Sequence, residues 1–162
     1  MTRWLLPLTL PVAGLLLLLA EPEADFHWED HPAHFWLVLL TALVSVLLGY
    51  LAGEAARRLN DARLFLVSLA FITSAGFLGL HALATPGVLL EKPNAGFVVA
   101  TPVGLALASG LAAASALDLS PAASAAVMRR QWLLRGAVFA VLAVWAVYSL
   151  AELPPLDRVL TP

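Results

Sequence analysis

Three of the chain's four histidines fall within eight residues, in the stretch HWEDHPAH at positions 27–34. The stretch also holds two carboxylates, so it combines metal-binding and proton-binding groups in a sequence that is mostly leucine, alanine and valine. His31 and His34 are three residues apart, a spacing that places two side chains on one face of a helix. Neutral imidazole is a common ligand of transition metals. These residue types therefore indicate metal, haem or proton binding.

The fourth histidine, His81, extends this candidate site. A transition-metal site for zinc or copper would use His31, His34 and His81 as ligands. Glu29 or Asp25 would serve as a carboxylate ligand or as a partner of a ligating histidine. A haem would instead use His34 and His81 as opposed axial ligands, with Gly76 and Gly79 leaving room for the macrocycle.

Three other interpretations of the same histidines stay open. Clustered histidines beside carboxylates could act as a pH switch. They could also be ordinary interfacial residues, with His81 capping the end of a helix. A zinc held by three histidines, with Glu29 as general base, would suit hydrolysis. No further carboxylate lies in the apolar segments to orient a substrate, so an enzyme is not favoured and we assign no catalytic residue.

The elements that position these residues are set by the composition. Of 162 residues, 61% are hydrophobic and 12% charged, and the mean hydropathy is +0.89. Such a chain is an integral membrane protein, and its backbone groups must be satisfied within helices because no alternating barrel pattern is present. We predict an all-α bundle, a single membrane domain over residues 1–162, with five transmembrane spans near 4–20, 35–53, 64–83, 97–117 and 132–150.

The basic residues predict the orientation, because Lys and Arg accumulate on the cytoplasmic side. Cleavage of residues 1–20 as a signal peptide is disfavoured by Leu18, and it would leave the later loops on the same sides. The cytoplasmic side receives seven basic residues and the outer side two: Arg3, Arg57, Arg58, Arg63, Arg129, Arg130 and Arg135 against Lys92 and Arg158. The N-terminus is therefore expected in the cytoplasm of the cell, with all four histidines on the outer side of the membrane at about one depth.

Small and hydroxylated residues predict which helix faces point inward. On the second span, Thr41, Ser45 and Gly49 continue the stripe that begins at His34. On the third, Ser74 lies seven residues below His81. Both histidine faces are therefore expected to point towards protein and not lipid.

Prolines predict where helices begin and break. The tripeptide Ala-Thr-Pro occurs at 84–86, where it marks the outer end of the third span, and at 100–102, where Pro102 is expected to kink the fourth. Ser120 followed by Pro121 predicts a helix start, from which a helix should continue into the fifth span.

Several classes of function are excluded by what the sequence lacks. There is no cysteine, which removes disulfides and thiolate chemistry. The net charge of −2, without a basic stripe, argues against nucleic acid as a partner. No nucleotide-binding loop or kinase signature is present.

Three stretches carry a resemblance to a known class: WEDHPAHFWLVLL, GFLGLHALATPGVLL and GFVVATPVGLALASG. They resemble the polytopic membrane regions of bacterial signalling proteins that precede a cytoplasmic adenylate/guanylate cyclase-type output domain. The resemblance covers about residues 28–150, and it implies further membrane helices or an output domain as partners. We therefore expect a sensory or anchoring membrane module; a small haem- or metal-binding redox subunit and a membrane zinc hydrolase are the alternatives.

Overall fold

The computed structural model describes residues 6–21, 30–92, 94–154 and 156. Within them the chain is helical and forms no strand beyond an isolated bridge between Pro86 and Leu90. Seven helices are described: α1 (Leu6–Ala20), α2 (His31–Leu59), α3 (Ala62–Ala82), α4 (Ala95–Val98), α5 (Ala100–Ala116), α6 (Pro121–Arg129) and α7 (Gln131–Leu150). The chain divides into two compact units, Met1–Asp30 and His31–Pro162, so α2–α7 form one unit and α1 belongs to the other.

Three of these helices, α2, α3 and α7, are long and apolar enough to cross a membrane. This is consistent with a multi-pass membrane protein. Each of the five predicted spans contains a helix, but five crossings are not confirmed. The reason is length, because α1 has 15 residues and α5 has 17, whereas a hydrocarbon core needs about 20.

Helices α2 and α3 form an antiparallel hairpin joined by a two-residue turn. Asn60 adopts a left-handed conformation with φ of 53°, which asparagine tolerates better than most residues. Asp61 then caps α3, its carboxylate accepting a hydrogen bond from the Leu64 amide at 3.0 Å. Glycines allow the two backbones to approach, since a Cβ placed on Gly49 would lie 3.3 Å from the Ile72 amide nitrogen.

Helix α3 lies at the centre of the α2–α7 unit. It packs along α2 on one side and along α5 on the other. Helix α5 runs antiparallel to α3 over its whole length, because Gly104 packs directly against the Phe77 ring and, at the far end, Arg63 bonds Asp118 at 2.6 Å. The large side chains Phe65, Phe77, Leu69 and Ile72 of α3 are fully buried as a result.

Helix α7 runs parallel to α3 and touches it more sparsely. The main contacts are Leu142 against Gly76 and the Trp145 ring against the Phe77 ring, whose centroids are 5.6 Å apart. At the other end of the unit, Met128 of α6 joins a buried cluster that includes Phe65 and Leu69. Helix α6 therefore closes the end of the bundle where α3 begins and α5 ends.

The helix end predicted before Pro86 and the helix start predicted at Ser120-Pro121 are confirmed. Helix α3 stops at Ala82, just before Thr85-Pro86. The break before Pro102 falls between α4 and α5, at Val99, because a proline ring clashes with the carbonyl four residues earlier. Ser120 caps α6 by accepting a hydrogen bond from the Ala123 amide at 3.2 Å. The predicted continuation of this helix into the fifth span is wrong, because Arg130 leaves the helical conformation and a turn there separates α6 from α7.

Candidate functional site

His81 lies in the last turn of α3, half-buried against α4. Its Nδ1 atom is 3.1 Å from the Phe97 carbonyl oxygen. A carbonyl can only accept a hydrogen bond, so Nδ1 carries the proton and the lone pair of the neutral ring lies on Nε2. Metal-binding histidines commonly have this arrangement, with one nitrogen donating to a backbone carbonyl while the other binds the ligand.

Helix α4, which supplies this carbonyl, is held between His81 and α7. Asn94 caps α4 by accepting from the Phe97 amide, and its Nδ2 donates to the Ser149 carbonyl at 2.8 Å. The Trp145 indole donates to the Gly96 carbonyl at 3.0 Å. Gly96 packs so closely on the Ser149 side chain that no larger residue fits there. We call this group of α3, α4 and α7 contacts the α4 clasp.

The other two described histidines are exposed. The buried stripe of α2 consists of Phe35, Ala42, Gly49, Gly53 and Ala56. The expected inward stripe through His34 and Thr41 is thus displaced by one residue, and it meets the buried stripe only at Gly49. Thr41 is exposed and bonds the carbonyl of Leu37 in its own helix. His31 and His34 occupy the first turn of α2, and both side chains are exposed.

The pairing of residues between α2 and α3 shows how far apart His34 and His81 lie along the bundle axis. Ala42 is level with Gly79, and Gly53 is level with Ser68. Continuing that pairing places His81 level with Leu40, six residues along α2 from His34. At 1.5 Å per residue this is about 9 Å. Both histidines lie at the same end of the hairpin, but at different heights.

Within the described ranges, no three His, Asp or Glu side chains come together in a group that could hold a metal ion. His31, His34 and His81 therefore form no triad by themselves. The remaining residues of the predicted site, Asp25, His27 and Glu29, lie outside the described residues. The proposed metal and haem ligands stay predictions.

A second polar centre, which the sequence reasoning missed, lies at the opposite end of the bundle. Arg135 of α7 is 6% exposed and donates from Nη1 to Oε1 of Glu54 on α2 at 2.9 Å. The other carboxylate oxygen of Glu54 accepts from Arg57 at 2.7 Å. Gly53 makes room for the guanidinium, because a Cβ there would be 2.9 Å from Nη2. We call Glu54, Arg57 and Arg135 the ion-pair centre.

Aromatic rings surround the buried guanidinium. The Arg135 Cζ atom lies 5.0 Å from the Tyr50 ring centroid, 5.2 Å from that of Trp132 and 5.8 Å from that of Phe65. At these distances the negative ring faces attract the cation. The Arg135 Nε atom is buried without a partner among the described residues. A sequence signal did exist, since Arg135 is the one basic residue that falls within the fifth predicted span, at its cytoplasmic end.

Comparisons with known proteins add no relative. No protein-family model matches the sequence, and no characterised protein or solved structure matches it significantly.

Proposed function

We propose that this chain is a multi-pass membrane sensory module, with its N-terminus in the cytoplasm and the histidines on the outer side. A metal ion, another small ligand or a proton binds at His81, and α7 carries the effect to the ion-pair centre. The observation that supports this is the placement of α7. One helix bonds α4 beside His81 through Trp145 and Ser149, and bonds α2 near the other end through Arg135.

The contacts between these two ends suit α7 to a transmitting role. In the 18-residue apolar stretch of α7 that could cross a membrane, 11% of the residues are buried inside the protein, against 50% in the corresponding stretch of α3. A helix with so few packing contacts is fixed mainly by its polar end contacts, and such elements shift at low free-energy cost. A change at one end of α7 is therefore transmitted to the other end, because little side-chain packing holds the middle in place.

The chemistry at His81 supplies the input. A metal or haem iron would bind Nε2 and leave the Nδ1–Phe97 bond intact but repositioned, whereas a proton on Nε2 would add a charge at this end of α3. Either change acts on the α4 clasp through a single hydrogen bond. Further membrane helices or a cytoplasmic output domain would receive the signal at the α6 end. If the chain served only as a membrane anchor, no coupling between His81 and the ion-pair centre would be needed.

The coupling can be measured with spin labels, because a chain without cysteine permits clean single-site labelling. Cysteines at Leu59 and Leu133, both more than 70% exposed, place labels near the ends of α2 and α7 that flank the ion-pair centre. In bilayer nanodiscs, Zn²⁺ or a step from pH 8 to pH 5 should shift the distance distribution between the labels. His81→Gln should abolish the shift.

His34→Gln is the matched control, since His34 is exposed and bonds no part of the α4 clasp. It should keep the wild-type response. A response that persists unchanged in His81→Gln, or the absence of any response to either probe, would contradict the sensory proposal.

A further inference from the structure

An apolar groove lies between α5 and α7 in the α2–α7 unit. Both helices pack on α3 but make little or no direct contact with each other, which leaves a cavity of about 360 Å³ above the α3 surface. Leu69 forms part of its floor, Leu107 and Gly110 part of one wall, and Leu134 and Val141 part of the other. Nearly the whole lining is hydrocarbon.

A positive charge lies at one end of this groove. Arg130 is exposed and stands one helical turn before Leu134, whose amide donates to the Arg130 carbonyl at 2.9 Å. Arg130 is therefore in helical register with α7 and on the face that lines the groove. The Arg130 side chain has no ion pair or hydrogen bond within the part of the chain that the structure describes. Asp118, which precedes α6 in the chain, is paired with Arg63.

We infer that the groove binds one acyl chain of an anionic phospholipid, with the phosphate group at Arg130. Hydrocarbon in the groove and a free guanidinium at its mouth match the two parts of such a molecule. Basic residues beside clefts between transmembrane helices bind anionic headgroups in this way. The inference rests on the membrane location in the proposed function, but it does not depend on any ligand at His81.

The test counts lipids that stay bound to the protein in native mass spectrometry. Detergent-solubilised protein is incubated with dioleoylphosphatidylglycerol or dioleoylphosphatidylcholine, which differ in headgroup charge. The wild type should retain one phosphatidylglycerol with roughly fivefold preference, the effect expected of one basic residue near an anionic headgroup. Arg130→Gln should remove the preference. Arg58→Gln is the charge-matched control, an exposed arginine at the end of α2, and should keep it.

Two variants fill the groove from opposite walls. Ala137→Trp does so from α7, and Gly110→Leu does so from α5, where a Cβ meets no atom within 4 Å. Each should abolish retention of both lipids. Ala143→Trp lies on the opposite, exposed face of α7 and should have no effect. Circular dichroism confirms that each variant is folded.

Three results would overturn the inference. Equal retention of the two lipids by the wild type would remove the headgroup contact. Unchanged retention in folded Ala137→Trp and Gly110→Leu would place the lipid elsewhere. A wild-type dimer that both groove-filling variants convert to a monomer would show that a second copy of the chain occupies the groove. None of these results bears on the spin-label response to Zn²⁺ or acid, so the two proposals fail separately.

Discussion

The guanidinium of Arg135 on α7 bonds the carboxylate of Glu54 on α2, 81 positions earlier in the chain, at 2.9 Å. This ion pair links two helices that otherwise contact each other little. A charge buried this deeply depends on its partner, because an unpaired ion in the interior is strongly unfavourable. The pair therefore fixes where α7 stands relative to the α2–α3 hairpin.

Removing Glu54 should destabilise the protein more than removing Arg57. Glu54→Gln leaves Arg135 buried among aromatic rings without a carboxylate, whereas Arg57 is 42% exposed and its loss leaves the Glu54–Arg135 bond intact. Thermal unfolding in detergent, followed by circular dichroism, should give the lowest midpoint for Glu54→Gln. The double variant Glu54→Gln with Arg135→Met should recover part of the loss. Equal midpoints for the two single variants would contradict this role of the pair.

Two glycines of α5 should respond in opposite ways to alanine. A Cβ on Gly104 would overlap the Phe77 side chain, so Gly104→Ala should cost about 1–3 kcal/mol of unfolding free energy through overpacking. Gly110 has open space around it, so Gly110→Ala should be neutral or should gain up to about 1 kcal/mol from helix propensity. Unfolding in mixed micelles measures both, and the same sign for both would refute the described packing of α5 on α3.

Asn94 should stabilise the protein through two hydrogen bonds, one that caps α4 and one that links α4 to α7. Asn94→Ala removes both bonds and should cost about 1–2 kcal/mol. Asn94→Ser keeps a capping oxygen but cannot donate to the Ser149 carbonyl, so it should recover the cap alone. Hydrogen exchange at the amides of Phe97 and Ala151 separates the two effects. Fast exchange in both segments of Asn94→Ser would show that the two bonds are not independent.

Metal or haem at the outer histidines has a direct spectroscopic test. Purified protein would show a Soret band if haem is bound, or zinc or copper at about one per chain by elemental analysis if a metal is bound. His81→Ala should remove the bound group, because His81 holds Nε2 ready through its bond to Phe97. The bound group should stay in His34→Ala, because His34 is exposed. Its loss there as well would contradict binding at His81 alone and support the two-histidine site, and its retention in His81→Ala would exclude His81 as a ligand.

The orientation rests on charge and can be tested by labelling from either side. Cysteines at Ala122 of α6 and Leu89 of the α3–α4 loop are both at exposed positions. In intact cells, a membrane-impermeant maleimide should label Leu89→Cys and spare Ala122→Cys until the membrane is opened. Labelling of both in intact cells would contradict a crossing by α5, and the reverse pattern would invert the orientation.

The sequence predicted the helices better than it predicted their faces. The long apolar runs and the proline motifs are local signals. They predicted the helix positions and the breaks near Pro86 and Pro102, because hydrophobicity and backbone sterics act within a few residues, but not the break at Arg130. The inward face of α2 was misjudged by one position. Hydroxyl groups such as that of Thr41 can bond their own helix, so a polar stripe does not by itself mark a contact face.

The relative positions of the histidines were also predicted only in part from the sequence. Chain order and helix direction were enough to place His34 and His81 at one end of the α2–α3 hairpin. Their separation along the axis depends on how Gly49, Gly53 and Gly79 set the pairing of the two helices, and a single sequence does not report that register.

The composition and local motifs of this chain alone determined that it is an all-helical chain with membrane-length segments, and where α3 ends and α6 begins. Only the tertiary structure decided that Arg135 meets Glu54, that His81 meets Phe97, and that α5 and α7 leave a groove between them. The physical reason is the distance along the chain over which each interaction acts. Helix formation and burial of apolar segments are decided by neighbours in the sequence, whereas side-chain partners are decided by which helices pack together, and at what height.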